Sequence, residues 1–114
     1  MVLVLRGELR LTAGKAAVQA AHAAVLLAER GGSGKPSDVF RAWRASGQRK
    51  IAVVAKTLDQ MHELARAAKA RGLPTVLVED AGYTEVAPGT VTCLGIGPGR
   101  PADIDPVTGS LPLL

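Results

Sequence analysis

Two rhythms of apolar residues run through the chain. The first is a set of short unbroken runs: Val2-Leu3-Val4-Leu5, Ile51-Ala52-Val53-Val54-Ala55, Thr75-Val76-Leu77-Val78 and Val91-Thr92-Cys93-Leu94-Gly95-Ile96. Apolar runs this short, bounded by turn residues, predict strands, and Val2-Leu3-Val4-Leu5, which stops at Arg6-Gly7, reads as one buried on both faces. The second rhythm is helical. It predicts a long helix from about Thr12 to Arg30, ending at Gly31-Gly32, and a short one capped by Ser37 or Asp38, which carries Phe40 and Trp43 and stops at Gly47. Both aromatics are expected in the core. A third helix opens with the capping box Thr57-Leu58-Asp59-Gln60, sets Met61, Leu64, Ala65 and Ala68 on one face, and ends at Gly72 before Pro74.

The segment from Lys50 to Glu79 is a strand-helix-strand unit of about 30 residues, the length a parallel crossover requires. Strands two and three are therefore expected to be parallel neighbours or near-neighbours. The connection to the fourth run holds Gly82, Pro88 and Gly89 but no helical period. It can return the chain without a helix, which predicts an antiparallel fourth strand and a mixed sheet in an α/β fold. From Gly97-Pro98-Gly99 to Leu113-Leu114 the expectation is a series of turns closing on a last apolar anchor. The glycine-rich stretch from Gly31 to Pro36 reads as a connection inside one domain over residues 1–114, because the core is incomplete on its N-terminal side.

Charge adds an asymmetry to this frame. Residues 1–50 hold nine basic and three acidic side chains, and residues 51–114 hold five and seven. A positive first half suits a polyanionic partner, with Arg6, Arg10 and Lys15 near a site and Arg41, Arg44, Arg49 and Lys50 extending the patch. The one cysteine, Cys93, excludes an internal disulfide framework and fits a reducing compartment. No apolar run approaches the roughly 20 residues that span a bilayer, and the first strand begins too early to leave room for a signal peptide. The expected location is cytoplasmic.

The candidate chemistry centres on Gly14-Lys15-Ala16-Ala17-Val18-Gln19-Ala20-Ala21-His22-Ala23. Lys15, Gln19 and His22 fall at i, i+4 and i+7 and so share one helical stripe. With Thr12 as N-cap, Lys15 sits in the first turn, where the helix end is already electropositive; this costs up to about 1 kcal/mol unless an anion or carboxylate is near. Asp80 stands immediately after strand three. If strands one and three run the same way, Lys15 and Asp80 reach one rim, where ligands of open α/β sheets gather. Thr84 and the Gly89-Thr90 turn belong to loops on that rim. Such a set can bind a phosphate or carbonyl and orient a water, without an obvious strong nucleophile.

Sharper motifs fail. A phosphate-binding P-loop needs a glycine where Leu9 stands and Ser or Thr where Ala16 stands, and Gly95-Ile96-Gly97-Pro98-Gly99 lacks dinucleotide spacing, with Pro98 and Pro101 opposing a helix there. His22 and His62 lie on different helices with no cysteine pattern, which argues against a metal site. Cys93 inside an apolar strand reads as a core thiol. With Phe40 and Trp43 assigned to the core, any RNA contact should be chiefly to phosphates.

The helical motif, preceded by Arg6-Gly7-Glu8-Leu9 and followed by Trp43, Gly47-Gln48, Asp80-Ala81-Gly82-Tyr83-Thr84, Pro88-Gly89-Thr90 and Leu94-Gly95-Ile96-Gly97-Pro98, resembles the type II peptidyl-tRNA hydrolases over nearly the whole chain. That family cleaves the ester joining a nascent peptide to the 3′ ribose of its tRNA. The resemblance implies a three-layer α/β/α sandwich with a mixed, mostly parallel four-stranded sheet, often a homodimer, and no cofactor. It assigns Lys15, Gln19, Asp80 and Thr84 to the active site, matches His22 to the motif's histidine, and matches Thr90 and Thr92 to further polar positions near the site. Arg6, His22, Thr90 and Thr92 are thereby candidate substrate contacts. Glu8 replaces the more usual aspartate, Tyr83 stands where a basic residue or histidine is common, and Glu85 stands where glutamine is expected. Two rival readings are a non-catalytic tRNA- or polyanion-binding domain of the same fold and a small-molecule phosphate-binding regulatory domain.

Overall fold

A computed structural model describes residues 1–83 and 85–114. Four strands, β1 (Val2–Arg6), β2 (Ile51–Ala55), β3 (Thr75–Glu79) and β4 (Val91–Ile96), form one sheet in the order β2-β1-β4-β3. β1 pairs in parallel with β2, whereas β4 is antiparallel to both β1 and β3. Three strands thus share one direction and the fourth opposes them, as the loop without helical period predicted. Strands β2 and β3 run the same way but occupy opposite edges: the crossover passes over both β1 and β4, so the expected neighbourhood does not form.

Helices cover both faces. On one lies α1 (Ala13–Gly32), packed through Ala16, Ala23 and Leu27 on Leu3, Leu5, Val76, Val78 and Cys93, and α2 (Asp38–Ala45) adds Trp43 to the margin of this cluster. On the other, α3 (Leu58–Ala70) and α4 (Pro101–Thr108) set Met61, Ala65, Ala68, Ile104 and Val107 against Val2, Val4, Val53, Leu94 and Ile96. Alternate residues of β1 enter opposite cores, which is why its run is apolar throughout. The caps follow the sequence: Ser37 accepts from the Phe40 amide and Thr57 from that of Gln60. Phe40 is buried, but Trp43 is only half-buried, its indole N–H donating to the Arg49 carbonyl at 2.8 Å.

Helix α4 corrects the expectation of turns. Pro101 does not oppose a helix here because it occupies the first turn, where its missing N–H has no intrahelical acceptor to lose. Beyond α4 the chain runs along the outside of β2, with the Val54 amide donating to Pro112 O at 2.9 Å and the Leu114 amide to Ala52 O at 3.0 Å. One edge of the sheet is thereby covered. Close approach of α1 to β4 depends on Gly95, where a Cβ would meet Leu27 Cδ1 at 2.8 Å and Val76 Cγ1 at 2.9 Å.

Candidate active site

Because β1 and β3 run the same way, the start of α1 and the end of β3 reach one rim of the sheet. Thr12 caps α1, its hydroxyl accepting from the Lys15 amide at 3.3 Å. The Lys15 ammonium donates to Asp80 Oδ1, with the two side chains 12% and 6% exposed. Here is the carboxylate that a lysine in an electropositive first turn requires. Gln19, one turn on and 2% exposed, points its Nε2 at the same oxygen at 3.4 Å. Its Oε1 accepts from the hydroxyl of Thr92, which is fully buried. That hydroxyl also lies 3.3 Å from Val78 O, but it has one proton, and the Val78 residue is already paired with Cys93 in the ladder. Thr92 thus fixes the orientation of the Gln19 amide, with its oxygen toward Thr92 and its nitrogen toward Asp80.

Asp80 Oδ2 accepts from the Gly82 amide at 2.6 Å. The Lys15 hydrogen bond first, and the Gly82 N–H second, hold the Asp80 carboxyl below the ordinary carboxylate range. A carboxylate so stabilised is a weak base at neutral pH. It remains a strong acceptor for orienting a water.

The loop after Asp80 is closed by the aspartate's own backbone: its N–H donates to Thr90 O at 2.9 Å and its carbonyl accepts from the Gly89 amide at 2.8 Å. Gly82 has φ +85°, and a Cβ there would fall 2.5 Å from Pro88, so the turn admits no larger residue. Glu85 reaches from this loop to the start of α1, its carboxylate accepting from the Thr12 hydroxyl and from the Thr12 amide at 3.1 Å. These two donors, hydroxyl first, lower its pKa. An acid in place of the expected glutamine therefore serves the helix N-terminus, where negative charge is favoured. Sequence pattern did not reveal this contact, since it depends on the path of the loop.

The other predicted residues are more dispersed. His22 is exposed on the cleft wall, one turn beyond Gln19. The Thr90 hydroxyl donates within its own turn to Ala87 O at 2.7 Å. Arg6 donates from Nε to Glu8 Oε1 at 2.6 Å and from a terminal nitrogen to Val91 O at 3.3 Å. Glu8 also accepts from the Leu58 amide at 3.2 Å, so it serves the N-terminus of α3. Thr84 lies outside the described residues.

Lys15, Gln19, His22 and Asp80 line a solvent-open cleft of about 800 Å³ between α1 and β3. Burial pushes the Cys93 thiol up to about 12, away from nucleophilic use. Among the described residues, no three His, Cys, Asp or Glu side chains are grouped to hold a metal. Among the same residues, no helix is long and apolar enough to cross a membrane.

The fold and cleft define a small α/β/α protein with a lysine-carboxylate site at the strand ends. Comparison with known proteins makes the class specific. The family model described as "Peptidyl-tRNA hydrolase PTH2" matches residues 1–114. The peptidyl-tRNA hydrolase of Methanopyrus kandleri is 52% identical, covering 99% of this chain and 96% of its own length. Those of Thermococcus onnurineus and Thermoplasma acidophilum are each 45% identical, covering 99% and 100% of this chain and 95% and 97% of their own. The chain belongs to the peptidyl-tRNA hydrolase PTH2 family.

Proposed function

We propose that this protein hydrolyses the ester between a peptide and the 3′ ribose of tRNA, releasing both, with Lys15 and Asp80 at the centre of the site. The observation that carries this reading is the desolvated Lys15-Asp80 pair, held by Gln19 and Gly82 at the mouth of an open cleft. Ester hydrolysis needs a placed water, positive charge for the tetrahedral oxyanion, and a proton for the departing ribose oxygen. Asp80 orients the water, which attacks the ester carbonyl carbon. Lys15 stabilises the oxygen that gains negative charge. As the intermediate collapses, the bond to the ribose oxygen breaks, and the proton given up by the water balances the new hydroxyl on the ribose. Gln19 keeps the aspartate in place. Thr84 completes the set in this reading, and Arg6, His22, Thr90 and the basic residues of the first half favour the RNA end of the substrate.

A cytoplasmic location, no cofactor and a homodimeric assembly belong to the same reading, supported by the family resemblance and, for the location, by the unpaired Cys93. The test is release of free tRNA from a purified N-acetyl-aminoacyl-tRNA. Turnover by the wild-type chain that is lost in Lys15→Ala is expected. Tight binding of tRNA without release of the acyl group would instead identify a non-catalytic binding domain.

A further inference from the structure

The two edges of the sheet differ. The outer edge of β2 is bridged by the segment that follows α4, whereas β3 exposes a side that no described strand covers. The ladder with β4 engages Pro74 through its carbonyl to Gly97 and Asp80 through its amide to Thr90, so alternation turns the backbone groups of Thr75, Leu77 and Glu79 outward. Arg30 already donates to the Thr75 carbonyl at 3.2 Å. Among the described residues, nothing pairs with the outward peptide groups of Leu77 and Glu79 along the stretch leading directly to Asp80. Over this edge runs the outer face of α1, where Val18 and Val25 are 50% and 56% exposed. Among the described residues, five of the eight exposed large hydrophobics (Val18, Val25, Leu26, Leu77 and Tyr83) line the cleft that also holds Lys15 and Asp80.

We propose that this groove receives the last few residues of the peptidyl group as a short strand added parallel to β3. The inference rests on the ester-hydrolase reading, which places the peptide's C-terminal carbonyl beside Lys15 and Asp80. From that fixed end the peptide must leave the site, and the groove between α1 and β3 begins there. Its C-terminus lies at Asp80 and its earlier residues run toward Thr75, so its direction matches that of β3. From Leu77 to Asp80 the edge extends about 10 Å at about 3.3 Å per residue, room for three or four peptide residues. Arg30 on the Thr75 carbonyl marks the far limit. Main-chain pairing gives affinity without reading sequence, and alternate side chains meet Val18 and Val25. Such recognition suits a substrate whose peptide varies while its ester does not.

The test compares N-acetyl-alanyl-tRNA with N-acetyl-tetraalanyl-tRNA on the same tRNA, and with tetraalanyl substrates N-methylated at alternate amides in either register. Assays use the wild-type protein and the double variant Val18→Gln, Val25→Gln, whose glutamines suit an exposed helix face. The wild type should favour the tetrapeptide in kcat/KM by about tenfold, and N-methylation in one of the two registers should remove most of that gain. The double variant should lose about 5- to 20-fold on the tetrapeptide while staying within about twofold on the single residue. Equal rates for both lengths, or equal loss on both in the variant, would overturn the inference alone. Equal loss accompanied by a shift from dimer to monomer in sedimentation would assign the edge to a second copy of the chain and overturn it as well. The N-methylated arm uses unmodified protein, so it decides even if the variant folds poorly. If the wild type cleaves neither length, the ester-hydrolase reading fails and this inference with it.

Discussion

Replacing Thr92 by valine removes one hydroxyl and almost no volume, yet it should cost more than most surface changes. Thr92 is fully buried and Gln19 is 2% exposed, so the amide oxygen that the hydroxyl serves is withdrawn from bulk water. The variant leaves Gln19 Oε1 desolvated and unpaired, a penalty of about 1–3 kcal/mol. For 114 residues, an unfolding entropy of about 2.1 cal/mol/K per residue makes each kcal/mol worth about 4 °C, so the melting temperature should fall by about 4–12 °C. Combining it with Gln19→Leu removes both halves of the pair, and stability should return to within about 1 kcal/mol of wild type, because Asp80 keeps Lys15 and Gly82 as donors. Calorimetry on the two single variants and the double gives the coupling directly. A Thr92→Val protein that melts with the wild type would refute the claim that this hydroxyl fixes the Gln19 amide.

Three further expectations follow from other parts of the molecule. Gly95→Ala places a methyl against Leu27 and Val76 at under 3 Å, and overpacking of about 1–3 kcal/mol should lower the melting temperature by about 4–12 °C; an unchanged melting temperature would show that α1 can lift from β4 without cost. Glu85 has a depressed folded pKa, so its hold on Thr12 is complete above the ordinary glutamate value of about 4.3 and is lost only as pH falls through the lower folded value. Hydrogen-exchange protection of the Thr12 amide should therefore stay constant from about pH 8 to 5 and fall below about pH 4, while Glu85→Ala abolishes it throughout. Affinity for tRNA should decline with salt at a log-log slope of about −0.7 to −0.9 per phosphate neutralised; a flat dependence would remove phosphate contact as the basis of binding.

The sequence was most legible where one residue pattern has one structural solution. Apolar runs such as Val2-Leu3-Val4-Leu5 became strands because both faces of the sheet are covered, and alternate residues enter the two cores. Thr12 and Thr57 became the N-caps that their spacing implied, and of the two candidates Ser37 and Asp38 it is Ser37 that caps α2. Helix spacing and strand direction brought Lys15, Gln19 and Asp80 together. Long-range order was less legible. The crossover through α3 has the length of a neighbour connection, and nothing local reveals that β3 passes β1 and β4 before pairing. Helix α4 was hidden because Pro98 and Pro101 read as residues that oppose a helix, although a proline in the first turn costs a helix little. The contacts of Glu85 with Thr12 and of Glu8 with Leu58 join residues 73 and 50 positions apart, so side-chain type alone could not foretell them.

The central claim is that the charge of Asp80, set against Lys15, orients the attacking water. Single-turnover hydrolysis of N-acetyl-aminoacyl-tRNA at saturating enzyme, wild type against Asp80→Asn, tests it most directly because binding and product release drop out of the rate. Asparagine keeps the size and one acceptor for Gly82 but supplies no negative charge. The chemical rate should fall by about 10²- to 10⁴-fold, with tRNA affinity near that of the wild type and a cooperative melting transition confirming the fold. A single-turnover rate within a few-fold of wild type would contradict the account, leaving Asp80 as a residue that caps its own turn.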